Sequence, residues 1–196
     1  MTRMFLTTAA AVAALSLGAC GRGDDTTTTA TNTTMSGDMM ASNASTDMAA
    51  ATPAMSAGQA FANTAAAGGA FEIESSRLAG QNAGSAAVKA FAAKMIDAHT
   101  EATAKLTAAA AAASPAITPD ATMTPEQQAQ IAAMREAKGA AFDRLYVDAQ
   151  KAAHAATLDT LKAYAASGDV PSLKAFATEL SPKVAAHLNM ANGLKA

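Results

Sequence analysis

From Gly58 onward, apolar residues recur at helical spacing in four stretches of the chain. Val88, Phe91, Met95, Ala102 and Leu106 form one stripe, and His99 lies on it. Leu173, Phe176, Leu180, Val184, Ala191 and Leu194 form another, which includes His187. Val147, Leu158 and Leu161 line up with His154. No stretch alternates apolar and polar residues as a half-buried strand would. The pattern predicts one helix from near Gly58 to Ala79 and a second from Ser85, its N-cap, to about Ala113. "SPAITPDATMTP" then breaks the chain. Thr124-Pro125-Glu126-Gln127 reads as N-cap, Pro at the first helical position and a capping-box Gln. It opens a third helix running to about Ala166. "SGDVP" is the next turn, and the fourth helix runs from Pro171 to about Leu194. An all-α domain over residues 58–196 follows, an antiparallel up-down four-helix bundle with short connections.

Two phrases repeat within it. "VKAFAAKMIDAH" ends on His99, and "LKAFATELSPKVAAH" ends on His187. The repeat suggests two related hairpins. Counted from the turns at 1.5 Å per residue, His99, His154 and His187 stand level to within about 6 Å. Three inward imidazoles from three helices are what a metal site in a bundle requires. Glu72 and Glu74 on the first helix are candidate carboxylate partners, although the count puts them about 6–15 Å nearer the turn. The structural alternative is that the histidines are polar pins between helices, with Asp97 and Tyr146 as hydrogen-bond partners. Gly68-Gly69 reads as a close helix crossing. Ser181-Pro182 either restarts or kinks the fourth helix.

Composition and charge narrow the function. The chain is 51% hydrophobic, but much of this is Ala, which favours helix and buries little area per residue. Its net charge of −2 offers no basic field for nucleic acid. No Ser/His/Asp spacing, phosphate loop or Glu-x-x-His pair points to catalysis, which speaks against a di-iron oxidoreductase.

The N-terminus changes the picture again. Arg3, an apolar run from Met4 to Leu17 and small residues before Cys20 have the layout of a secretory signal peptide over residues 1–19. Cys20 is the only cysteine and cannot form an internal disulfide. Leu17-Gly18-Ala19-Cys20 resembles a bacterial lipobox, which implies lipidation of Cys20 and a membrane anchor. Gly21 after the cysteine implies the outer membrane, with the domain in the periplasm; a secreted periplasmic protein is the alternative. Residues 20–57 lack aromatics, Val, Ile and Leu, and read as a disordered tether. Its Met35, Met39, Met40, Met48 and Met55 are soft donors that suit Cu(I). Their irregular spacing, without His or Cys, fits a low-complexity linker better.

"AAAGGAFEIES", "KMIDAH", "YVDAQKAAH" and "LSPKVAAHL" resemble an uncharacterised bacterial family, domain of unknown function 4142. Its members are called predicted outer membrane proteins. The resemblance covers nearly all of residues 59–194 and implies a ferritin-like fold, with no established activity. Family members often carry an acidic residue directly before the histidines of the second and third helices; Ala98 and Ala153 stand there in this chain. The expected function is an envelope lipoprotein presenting a binding or structural module, with envelope proteins as partners. The alternative is a ferritin-like bundle binding one transition metal ion (Cu, Zn or Fe) through the three histidines.

Overall fold

The computed structural model describes residues 55–195. Cys20, the signal segment and all but the last residues of the tether lie outside them. Helices are the regular structure of the described residues, α1 (Ala57–Asn82), α2 (Ala86–Ala111), α3 (Pro125–Glu136), α4 (Gly139–Ser167) and α5 (Pro171–Asn192), with a non-helical connection over residues 112–124. The capping signals act as the sequence requires. The Ser85 hydroxyl accepts from the Val88 amide. Thr124 and Gln127 close a reciprocal capping box, with Pro125 opening α3. Among the described residues, no helix is long and apolar enough to cross a membrane.

The expected third helix is two helices. α3 stops at Glu136, and α4 begins at Gly139, whose φ of 57° is left-handed. Glycine adopts that conformation without the Cβ clash that disfavours it elsewhere. Tertiary contacts hold the break. Asn82, the last residue of α1, donates to the Met134 carbonyl at 3.1 Å, at the end of α3. Lys138 bonds the same Asn82 side chain. The α1–α2 connection also packs directly on Gly139, and a Cβ added at Gly84 would stand 3.0 Å from the Gly139 Cα.

α1 packs on α2, α2 on α5, α5 on α4 and α4 on α1, so the four long helices close a ring. α3 lies against α1 and α4 outside that ring. The interior divides into two apolar clusters. One holds Phe71, Val88, Phe91, Met95, Phe142 and Tyr146; the other holds Phe61, Leu106, Leu161, Leu173, Phe176 and Val184. Gly69 is a close crossing, with its Cβ direction 3.2 Å from the Thr103 hydroxyl, whereas Gly68 faces open space. α5 runs unbroken through Pro182. Ser181 does not cap a new helix there; its hydroxyl donates to the Ala177 carbonyl one turn back at 2.7 Å.

Asp143 ties the break to the start of α2. Its two carboxylate oxygens accept from the Gly84 and Ser85 amides at 3.1 and 2.9 Å. Removing a charged acceptor of two part-buried hydrogen bonds costs about 1.5–3 kcal/mol. Asp143→Ala should therefore lower the unfolding free energy by that amount, read as a lower urea midpoint at unchanged m-value, and Asp143→Asn by less. Equal midpoints for Asp143→Ala and wild type would show that the contact is idle.

Candidate metal centre

Between the two apolar clusters lies a polar layer, to which each long helix contributes one side chain. On α2, His99 falls between Met95 of the first cluster and Leu106 of the second. On α4, His154 falls between Ala149 and Leu161, and on α5, His187 between Val184 and Ala191. Helical periodicity turns each histidine to the same face as its apolar neighbours. The three rings meet, with centroids 5.6 Å apart for His99–His154, 5.9 Å for His99–His187 and 5.5 Å for His154–His187. One ligand-capable nitrogen from each lies within 4.8 Å of the other two.

Glu72 completes the layer from α1. Its Oε1 stands 3.6 Å from His154 Nδ1, and both side chains are buried. This corrects the helix count, which put Glu72 nearer the turn. α1 runs to Asn82 and the connection centres on Gly84, so Glu72 lies twelve residues before it and His99 fifteen after. The difference is about 4–5 Å of rise, which the side chains span. Glu74 does not join the layer. Two residues further along α1, it faces Arg135 of α3 in a 3.0 Å ion pair.

The hydrogen bonding leaves the layer incomplete. His154 Nδ1 lies 2.9 Å from the Gln150 carbonyl. A carbonyl only accepts, so Nδ1 carries the proton and Nε2 presents a lone pair. His154 Nε2, His99 Nε2, His187 Nδ1 and Glu72 Oε2 are buried with no partner. Each such atom costs about 1–3 kcal/mol unless something satisfies it. The partners expected for histidine pins are elsewhere: Asp97 is exposed, and the Tyr146 hydroxyl bonds Ser76 at 2.8 Å. Sequence reading missed Gln150. It lies one turn before His154, and its amide donates to the buried Ser75 hydroxyl at 3.2 Å. The signal was a Tyr146/Gln150/His154 spacing of four, which puts three polar groups on one helical stripe.

Burial sets the protonation of the layer. It lowers His99 to about 3, with repulsion from His154 and His187 adding to the effect. It lowers His154 to about 4 against the opposing bond to Gln150. His187 is lowered by burial and by Lys183. Burial raises Glu72 to about 8, opposed by Gln150. At neutral pH the layer therefore holds three neutral imidazoles, each with a lone pair for a metal.

His99 and His187 also form part of the wall of an open cleft of about 260 Å³ between α2 and α5. Its rim carries Glu101, Lys105 and Lys183. Lys105 pairs with Glu101 at 2.8 Å and with Glu179 at 2.6 Å, which ties α2 to α5 at the surface.

The family described as Domain of unknown function (DUF4142) matches residues 43–194. No curated protein and no solved structure matches the chain.

The protonation shifts predict the pH dependence of the metal-free protein. The histidines are depressed below 6.5, so their stability contribution is full above that value and is lost as pH falls towards 4 and 3. Glu72 is raised above 4.5, so its contribution is full below that value and is lost as pH rises through 8. Stability without metal should peak between these limits, in mild acid. Glu72→Gln should gain on wild type in urea unfolding at pH 8 relative to pH 5, with chelator present throughout. An identical difference at both pH values would rule out a proton on buried Glu72.

Proposed function

The chain belongs to the family Domain of unknown function (DUF4142), and we propose that it is a transition-metal-binding helical bundle anchored in the bacterial envelope. One observation carries the reading. Three imidazoles from three helices bring one ligand-capable nitrogen each within 4.8 Å of the others, and each ring has a buried nitrogen with no partner. A zinc ion held at 2.0–2.1 Å by tetrahedral ligands separates them by about 3.3–3.4 Å, so the nitrogens need close by no more than about 1.5 Å to bind. Neutral imidazole suits zinc, copper, iron and nickel. The Gln150 carbonyl holds the His154 tautomer that binding needs, as the partner groups behind metal-bound histidines commonly do.

The surrounding fold supports an antiparallel, up-down, ferritin-like arrangement of the four long helices. α1–α2 and α4–α5 are each joined by three residues, Ala83–Ser85 and Gly168–Val170. Connections of that length return the next helix alongside the last. α3 is then an addition to the four-helix plan. Location rests on the N-terminus, where Cys20 after Leu17-Gly18-Ala19 supports a lipidated anchor at the outer membrane, with the bundle in the periplasm.

Purified without chelator, the full chain should hold close to one transition metal per protein by plasma mass spectrometry. His99→Ala should lose it. Added metal at a hundred times its Kd should stabilise the wild type by about 2.7 kcal/mol and leave the variant unchanged. A wild type that stays metal-free after addition of zinc, copper and iron would mean that the histidines serve packing alone. The anchor has its own test. Labelled fatty acid should enter the protein in a bacterium with two membranes, and Cys20→Ser should abolish labelling and release the protein from the membrane fraction. Equal labelling of the two would exclude Cys20 as the anchor.

A further inference from the structure

The placement of Glu72 relative to His154 says more about the layer than the presence of three histidines does. We propose that a metal held there keeps one coordination position open to the α2–α5 cleft and takes a small anion on it, while Glu72 stays off the metal and orients His154. The inference rests on the metal-binding reading above.

The first support is the face of His154 that Glu72 meets. Its Oε1 lies 3.6 Å from Nδ1, the nitrogen whose proton goes to the Gln150 carbonyl at 2.9 Å. The lone pair that a metal would use is on Nε2, at the other edge of the ring. A carboxyl group beside the N–H edge limits how the ring can turn without touching the metal. The mutually close donor atoms belong accordingly to His99, His154 and His187, without Glu72. Three protein ligands leave a fourth tetrahedral position free, as in metal sites that exchange a water or a substrate.

The second support is access. His154 is buried at the inner side of the layer, whereas His99 and His187 both line the α2–α5 cleft. The free position therefore faces the cleft, whose walls between the histidines and the rim are Ala98, Ala102, Leu180 and Val184. At about 260 Å³ the space admits a small molecule.

Charge selects the class of ligand. Three imidazole ligands cancel none of a divalent ion's charge, and apolar walls weaken screening, so an anion is favoured at the open position. The rim does not oppose this. Lys105 and Lys183 balance Glu101 and Glu179 in a surface network with contacts of 2.6 to 3.5 Å. The acidic partners are more than half exposed. The same position would hold hydroxide in the absence of another anion.

The test uses the full chain loaded with Co(II), whose visible absorption reports its ligands, and azide as the probe anion. Azide should change the Co(II) bands saturably at one site per metal. Ala186→Phe plugs the cleft from an exposed position of α5 and should weaken azide at least tenfold, with Co(II) stoichiometry unchanged; Ala98→Phe, from α2, is the independent plug. Glu72→Gln should keep both the azide response and the general form of the bands. Co(II) bound one to one without an azide response, and with bands altered by Glu72→Gln, would overturn the inference, because Glu72 would then close the site. Azide binding untouched by either plug would overturn the route through the cleft. Failure to bind Co(II) at all would instead remove the metal-binding reading beneath it.

Discussion

One imidazole and a carboxyl group are buried, and two more imidazoles half-buried, in one layer of this fold, and most of the architecture serves to make that possible. Burying a polar group without a partner costs about 1–3 kcal/mol, and the layer has several. The two apolar clusters on either side supply the offset. Fully burying side chains such as Phe71, Met95, Leu161 and Leu173 contributes about 1.5–3 kcal/mol each. The layer persists because it is sealed above and below, not because it is well hydrogen-bonded. A metal ion would remove much of the deficit at once, which makes the stability of the fold and occupation of the site one thermodynamic question.

Such a layer exists only in one register. A helix displaced by a turn would move its histidine about 5.4 Å, into one of the apolar clusters. The register is held by polar contacts at the ends and along one seam. Asp143 fixes the start of α2, and Asn82 holds the end of α3. The Tyr164 hydroxyl donates to Asp169 at 2.8 Å and accepts from the Val170 amide at 3.3 Å, locking the α4–α5 turn. Tyr164 also stacks on Phe61 of α1 with ring centroids 3.9 Å apart. Along the α1–α4 seam, Ser76 meets Tyr146 and Ser75 meets Gln150. Large apolar side chains are scarce in an Ala-rich chain, so specificity of alignment falls to these few directional contacts.

The helices and the meeting of the three histidines were legible because both follow from periodicity and rise along single helices. His99, His154 and His187 each share a stripe with apolar residues, and burial of the stripe carries the histidine inward. What single-helix geometry could not contain was missed. The break at Gly139 lies within an unbroken helical pattern, and it is held by Asn82 and by the Gly84 and Ser85 amides that bind Asp143, all distant from it in sequence. Glu72 and Glu74 looked equivalent. α3, folded back over α1, gave Glu74 an arginine partner at the surface and left Glu72 to the interior.

By itself, then, the amino-acid order determined an all-helical domain, its caps and the faces on which its histidines lie, because these depend on neighbours within a turn or two. It also determined the lipobox-like segment around Cys20, which is a matter of local residue order. Tertiary structure alone decided which carboxylate meets the histidines, which edge of His154 it meets and where the cleft opens. Those depend on the relative heights and rotations of separate helices. Contacts between helices set them, and no periodicity along one helix encodes them.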